Sequence, residues 1–282
     1  MKEIYELNIL EEYAKIAFRP EDGVRVNDSI RRFIIEKTDP KFEFINRIEL
    51  LLRGNREKRL TTLISWSIRR IYTKDEISEA TLFSCAPTTY FEPAGEDCGT
   101  QYDEAAACPI CGSGARQTTP LIVRLNSIPK NSDLAQTIGS ELVVSKRLVD
   151  IFNENNITGF SYGPIVNRKG IPATDNWFQF FCGPSLVDIA DKTVLGSNPF
   201  DMDLENKYRC KYNHQLGLNL ISQLYLKAES WSGADINFTR QYIGCRRGVL
   251  RPERYLIVSP KIRMLVDKYK LKGFKFDIAH LV

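Results

Sequence analysis

A duplicated segment is the feature that most restricts what this chain can fold into. Residues 142–160 and 256–274 align without a gap, 114 positions apart, and over nineteen positions they share five identities and five exchanges between apolar residues. Both segments contain a serine, Ser145 or Ser259, and both end in Gly–Phe. Because such a repeat indicates a copied structural unit, the sequence predicts two related modules in the last two-thirds of the chain.

Each copy is predicted to form a strand, a serine cap, a helix and a second strand. The apolar run 142–144 is typical of a buried strand, and the hydroxyl of Ser145 can accept a hydrogen bond from the first turn of a helix. In the second copy Pro260 follows Ser259. Proline is favoured at the first helical position because its missing N–H would have no intrahelical partner there.

The similarity extends upstream of these segments. Cys108 lies 25 residues before Asp133, and Cys210 lies 25 residues before Asp235. Equivalent positions in a repeat favour a shared structural turn for the two aspartates over an acid–base pair. The second copy carries about twelve additional residues, at about 239–252 and rich in arginine and glycine, which we expect to form a surface loop.

The N-terminal region is predicted to be helical. Groups of apolar residues at helical spacing begin at Ile30, Phe42 and Leu60. Thr73 and Glu76 form a capping box, in which each side chain can satisfy a backbone N–H of the other residue, so a fourth, short helix is expected there.

The predicted fold class is α+β: a helical N-terminal segment followed by two tandem related α+β modules with a zinc knuckle. The predicted boundaries are 1–83 for the helical region, 84–190 for the first repeat module with the knuckle, and 191–282 for the second. Residues 84–120 contain many prolines and glycines. A loop region of this length requires a cross-link to hold it, and its cysteines are the candidate residues for that cross-link.

The most specific local motif is Cys108-Pro-Ile-Cys111-Gly112. Two thiolates separated by two residues can hold one zinc ion, since a tight turn directs both sulfurs to one point and Gly112 permits the turn. A redox pair is disfavoured because the motif lies in a broken loop and not at a strand-to-helix junction. The sequence therefore predicts a Zn²⁺ site that uses Cys108 and Cys111.

Tetrahedral zinc requires two further ligands. Cys98, ten residues upstream in a glycine-containing turn, is the predicted third ligand. The sequence leaves three candidates for the fourth ligand. Cys85 lies nearby in the sequence, whereas Cys210 or His214 would connect the two copies. The second copy has Cys210-Lys-Tyr-Asn-His214 where the first has CxxC, and this pattern is interpreted as a knuckle with fewer ligands.

The composition restricts the class of protein. The 282 residues include no apolar run of eighteen, and acidic residues near the N-terminus interrupt the apolar core that a signal peptide needs, so we expect a cytoplasmic protein without a membrane segment. Seven cysteines in such a chain favour metal binding or free thiols over disulfides. A net charge of +4 does not by itself indicate nucleic acid. A zinc-knuckle protein that associates with nucleic acid through arginines at 56–70 and 240–254 is an alternative.

An enzyme is not expected. The chain has two histidines, His214 and His280, and no spacing places a nucleophile beside either of them. No dinucleotide-binding, phosphate-binding or metalloprotease motif is present. An enzyme of unrecognised type that uses Asp133, Asp235 or His280 in a cleft between the modules is a further alternative.

At these residues the chain resembles a bacterial family. The CPxCG knuckle, the Asp–Leu or Asp–Ile step, the Val-Ser-x-Lys/Arg segment and the closing Gly–Phe resemble the double-CxxCG-motif proteins and related immunity proteins of polymorphic toxin systems. The resemblance covers about residues 90–282. It implies a non-catalytic cytoplasmic protein that binds and neutralises a cognate protein toxin. The chain departs from the pattern because Cys210-x3-His214 replaces the second CxxCG.

Overall fold

The computed structural model describes residues 1–53, 62–172 and 175–282. Within these ranges the protein is mostly β, with twenty-one strands, most of them short, and five short α-helices. Two compact units can be distinguished, and each is described by itself. Unit 1 comprises residues 1–79 and 197–202, and unit 2 comprises residues 80–196 and 203–282.

Unit 1 is built around a four-stranded antiparallel sheet. Up to residue 79 its elements are β1 (Lys2–Leu10), α1 (Glu11–Ala17), β2 (Val24–Asn27), β3 (Ile30–Glu36), α2 (Pro40–Arg53), β4 (Leu63–Ile71) and α3 (Lys74–Glu79). The strand order is β2–β3–β1–β4. Alternate residues of β1, namely Tyr5, Leu7 and Ile9, are buried, and the ring of Tyr5 lies 4.6 Å from that of Phe42 in α2. The core therefore lies between the sheet and α2.

The prediction of a helical N-terminal segment is wrong, and so is the α+β class. A strand opens the chain, and the segments that start at Ile30 and Leu63 are also strands. In β3, Phe33 and Ile35 are buried whereas Ile34 is 59% exposed. Burial therefore alternates with a period of two, as in a strand with one face on a core.

Two of the N-terminal helices are confirmed. The helix predicted from Phe42 is part of α2, and the capping box at the start of α3 is formed. Thr73 Oγ1 accepts a hydrogen bond from the Glu76 backbone N–H at 3.2 Å, and the Glu76 carboxylate accepts one from the Thr73 N–H at 2.8 Å. Residues 54–60, which include the predicted end of one helix and start of the next, lie outside the described part of the chain.

From residue 80 onward strands predominate. The elements are β5 (Leu82–Pro87), β6 (Tyr90–Phe91), β7 (Tyr102–Asp103), β8 (Arg116–Gln117), β9 (Leu121–Ile122), β10 (Leu134–Thr137), β11 (Leu142–Ser145), α4 (Lys146–Glu154), β12 (Phe160–Val166), β13 (Trp177–Cys182), β14 (Leu186–Val187), β15 (Leu195–Asn198), β16 (Asp201–Met202), β17 (Asn219–Leu220), β18 (Leu224–Leu226), β19 (Ile236–Thr239), β20 (Leu256–Val258), α5 (Pro260–Tyr269) and β21 (Phe274–Leu281).

The two large sheets of unit 2 have equivalent strand orders. One is β6–β10–β11–β13–β12–β9 and the other is β14–β19–β20–β5–β21–β18. In both sheets the two edge strands run parallel to their neighbours and the inner pairs are antiparallel. By position β5 corresponds to β13, so the first repeat is defined as residues 82–166 and the second repeat as residues 177–281.

The two repeats exchange their first strands. β5 opens the first repeat but pairs between β20 and β21 of the second, whereas β13 opens the second repeat but pairs between β11 and β12 of the first. Each sheet is therefore completed by a central strand from the other repeat.

The strand–helix–strand prediction for both copies is confirmed. Residues 142–160 form β11, α4 and the start of β12, and residues 256–274 form β20, α5 and the start of β21. Ser145 caps α4, since its side chain accepts a hydrogen bond from the Leu148 N–H at 3.1 Å. Ser259 makes no such side-chain bond, and Pro260 opens α5 instead.

The repeats hold each other through equivalent aspartates. The Asp133 carboxylate in the first repeat accepts a hydrogen bond from the Lys272 backbone N–H at 2.9 Å. The Asp235 carboxylate in the second accepts one from the Thr158 backbone N–H at 3.1 Å. Both bonds connect an aspartate to the residue that precedes the Gly–Phe pair of the other copy, so the contact is reciprocal.

Candidate metal centre

The first knuckle, the tight turn that contains Cys108 and Cys111, lies in the connection between β7 and β8. The Cys108 backbone N–H donates to the Ser113 carbonyl and the Gly112 N–H donates to the Cys108 carbonyl, both at 2.8 Å. Gly112 has a φ of 70°, in the left-handed region that glycine adopts without strain. The turn places the sulfur of Cys111 on the same side as that of Cys108.

The second knuckle, the turn that contains Cys210 and His214, has a similar pattern of backbone hydrogen bonds. The Cys210 N–H donates to the Gln215 carbonyl, and the Asn213 N–H donates to the Cys210 carbonyl, both at 2.8 Å. Asn213 takes the positive φ, 63°, and asparagine tolerates this conformation better than most residues. His214 follows directly, so this turn presents an imidazole where the first presents a second thiol.

The two knuckles meet and form one cluster. The ligand atoms of Cys108, Cys111, Cys210 and His214 all lie within 4.8 Å of one another. The sulfurs of Cys108 and Cys210 are 3.8 Å apart. A tetrahedral site with metal–sulfur bonds of about 2.3 Å has edges of about 3.8 Å, so this separation fits two thiolates on one ion. The cluster can hold a metal ion, with two ligands from each repeat.

The backbone favours the thiolate form of one ligand. The N–H groups of Cys111 and Ile110 donate to the Cys108 sulfur and, with smaller contributions from His214 and the Cys111 side chain, lower the pKa of Cys108 to about 6. Burial has the opposite effect on Cys111 and raises the pKa of its thiol. A bound cation would offset that cost, because metal binding and thiol deprotonation are coupled.

The other two predicted ligands lie outside the cluster. Cys98 is buried at the end of a 3-10 helix, Gly95–Cys98, and Cys85 is buried in the exchanged strand β5. Burial raises the pKa of the Cys85 thiol, so it stays protonated. Proximity in sequence favoured these two residues, whereas the structure brings Cys210 and His214 to Cys108 and Cys111.

The long loop of the second repeat packs against the first knuckle. A Cβ placed on Gly112 would lie 3.5 Å from the Arg246 side chain, which forms an ion pair with Glu104. Arg251 bonds the same carboxylate at 2.8 Å and the Glu96 carboxylate at 2.7 Å. These ion pairs hold the loop and the knuckle together, so the residues predicted as an added surface loop support the cluster.

The structure gives partners to each of the three residues considered for an enzyme, Asp133, Asp235 and His280. Asp133 bonds Ser145 and Asp235 bonds Ser259, each at 2.8 Å. With the backbone bonds to the other repeat, both carboxylates have structural partners. The His280 ring stacks on Tyr225 at 4.9 Å, and its Nε2 atom has no hydrogen-bond partner among the described residues.

No protein-family model matches the chain, and no curated protein matches it. Among the described residues, no helix combines the length and apolar character needed to cross a membrane.

Proposed function

We propose that this chain is a cytoplasmic, non-catalytic binding protein that is stabilised by one structural zinc ion and neutralises a cognate bacterial toxin. The observation that carries the zinc assignment is the convergence of three thiols and one imidazole from two knuckles. Three sulfurs and one nitrogen in tetrahedral reach suit zinc better than the oxygen-preferring Mg²⁺ or Ca²⁺.

The ligand set favours a structural role. Catalytic zinc keeps a position open for water or substrate, whereas four protein ligands close the coordination sphere. Cys108 and Cys210 are buried, and each knuckle belongs to a different repeat. The ion would therefore cross-link the repeats and fix the loops around it, which a protein with a rigid docking surface requires.

The immunity role rests on the family resemblance of residues 90–282, and the zinc cross-link is compatible with it. The nucleic-acid alternative relies on arginines at 56–70 and 240–254, and residues 56–61 lie outside the described part of the chain. In the segment 240–254, Arg240 pairs with Asp188, and Arg246 and Arg251 pair with Glu104. Arginines that are neutralised within the protein contribute little to phosphate binding.

The metal assignment is tested by elemental analysis of the purified chain. We expect about one zinc per chain, and Cys108→Ser and Cys210→Ser should each lose it together with cooperative unfolding, because structural zinc contributes about 10 kcal/mol or more to folding in zinc-finger peptides. The matched controls are Cys98→Ser and Cys245→Ser, whose thiols lie outside the cluster and which should retain the metal. Loss of zinc from Cys98→Ser but not from Cys210→Ser would overturn the ligand set.

The functional proposal is tested with the protein that the adjacent gene encodes. Co-expression should protect cells from that protein when it is toxic, and the two chains should co-purify. The Cys210→Ser variant should lose protection, whereas the metal-retaining Cys98→Ser variant should keep it. Absence of protection and of co-purification with a toxic neighbour would contradict the immunity role and leave the zinc assignment standing.

A further inference from the structure

A cavity of about 490 Å³ lies in unit 2 where the two repeats meet. Its walls include the β10–β11 turn of the first repeat, the end of the β19–β20 loop of the second, and parts of both exchanged strands. The volume lies within the range of small-molecule sites. None of the four metal-cluster residues lines the cavity.

Part of the cavity wall comes from a connection that is longer than its counterpart in the other repeat. The first repeat joins the paired residues Gln136 and Leu142 through residues 137–141, whereas the second joins Phe238 and Leu256 through residues 239–255. The extra residues bring three charged side chains to the wall, Arg251, Glu253 and Arg254.

One of these side chains is a cation without a counter-charge. The Arg254 guanidinium lies over the Tyr242 ring, 4.5 Å from its centroid. Its Nε atom is buried without a hydrogen-bond partner, and no carboxylate in the described part of the chain forms an ion pair with it. Arg251 differs, because Glu96 and Glu104 both bind it.

The carboxylates of the cavity wall do not neutralise Arg254. Glu141 accepts hydrogen bonds from the hydroxyls of Tyr102 and Thr137. Glu253 accepts one from the Gln136 amide at 3.0 Å. Neither carboxylate forms an ion pair with Arg254 in the described part of the chain, so its guanidinium remains available to an anionic ligand.

The rest of the wall is largely apolar. Leu142 and Leu256 are buried at the starts of the equivalent strands β11 and β20, and Phe180 and Phe181 belong to the exchanged strand β13. Phe238 completes this surface from the second repeat. Apolar walls with a few placed polar groups are typical of sites for organic ligands.

We propose that this cavity binds a small organic anion with a flat apolar body, a carboxylate or a phosphate ester. The apolar body would pack against the phenylalanine and leucine side chains, and the anionic oxygens would accept hydrogen bonds from the Arg254 guanidinium. The planar guanidinium matches both oxyanions in geometry, and stacking on Tyr242 holds it in place.

The test is calorimetric titration of the metal-loaded full chain with 2-naphthoate, 2-naphthamide, 2-naphthyl phosphate and inorganic phosphate. The naphthamide has the shape of naphthoate without its charge. We expect naphthoate or naphthyl phosphate to bind at least ~10-fold more tightly than the amide, since charge-assisted hydrogen bonds are about twice as strong as neutral ones. The tighter of the two would identify the oxyanion. Inorganic phosphate alone should bind much more weakly because it lacks the apolar body.

Two variants locate the site, and one matched variant serves as control. Arg254→Gln should weaken binding of the charged probe by ~10-fold and leave the amide unchanged. Phe181→Ala, at a half-exposed ring, should weaken both. Arg240→Gln, whose arginine pairs with Asp188 and does not line the cavity, should change neither. No heat from either anionic probe up to about 1 mM, equal affinity for amide and carboxylate, or unchanged binding in a folded Arg254→Gln variant would each overturn the proposal.

Discussion

The two repeats differ in their loops and agree in the contacts that join them. In the first repeat five residues separate the paired residues Gln136 and Leu142, whereas in the second seventeen separate Phe238 and Leu256. The first knuckle supplies two thiols, and the second supplies a thiol and an imidazole. The aspartate, the serine and the Gly–Phe pair are the same in both copies. The shared aspartates and glycines make the contacts between the repeats, whereas the cluster and the cavity use residues in which the copies differ.

The strand exchange explains why both sides need the same residues. Each Gly–Phe pair lies where the chain turns from a helix into β12 or β21, against the aspartate of the other repeat. A Cβ on Gly159 would lie 2.0 Å from the Ile236 carbonyl oxygen, and a Cβ on Gly273 would lie 2.0 Å from that of Leu134. The two contacts are equivalent, so their energetic roles can be compared directly.

The largest expected effect comes from these glycines. Gly159→Ala and Gly273→Ala should each lower the free energy of unfolding by about 3 kcal/mol or more, because the methyl group overlaps a backbone oxygen and φ is positive, at 88° and 99°. Urea denaturation of the full chain measures the loss. Gly233→Ala is the control, since Gly233 also has a positive φ, 81°, but no atom within 4 Å of the added Cβ. If one of the two variants behaves like Gly233→Ala, the contacts are not equivalent.

Substitution of the two aspartates should lower the free energy of unfolding by less than the glycine substitutions, and by different amounts at the two positions. Asp133→Ala leaves the buried Ser145 hydroxyl and the Lys272 N–H without their acceptor, and we expect a loss of about 2–3 kcal/mol in the free energy of unfolding. Asp235→Ala removes similar bonds, but the Asp235 side chain is 17% exposed where that of Asp133 is 10% exposed. Water can replace more of its bonds, so about 1–2 kcal/mol is expected. The opposite order in urea denaturation would show that burial does not set the difference.

The sequence predicts local contacts well, because each depends on a short pattern. The Ser145 cap, the Gly112 turn and the capping box at Thr73 all involve residues within a few positions of each other. The sequence pattern predicted helices where the N-terminal sheet lies, and the reason is physical. Arg31 occupies an inward position of β3 and is buried in an ion pair with Glu11 at 2.6 Å, so the alternation of polar and apolar residues is hidden.

The candidate metal centre was predicted in part for a related reason. The CxxC motif is local and identifies Cys108 and Cys111, but no local pattern states which distant residues complete the site. Proximity in sequence favoured Cys98 and Cys85. The equal 25-residue spacing from each knuckle to its aspartate indicated that Cys210 occupies the equivalent place in the second copy. The meeting of the two knuckles depends on long-range contacts, which no local pattern contains.

The smallest expected effect distinguishes the two helix starts. Ser145→Ala removes both a cap to the Leu148 N–H and a bond to Asp133, whereas Ser259→Ala removes only the bond to Asp235. A serine cap contributes about 1 kcal/mol, so Ser145→Ala should lower the free energy of unfolding by about 1 kcal/mol more than Ser259→Ala. Urea denaturation of both variants measures the difference. Equal losses would mean that the bond from the Leu148 N–H to the Ser145 side chain adds no measurable stability, and that the two copies begin their helices at the same energetic cost.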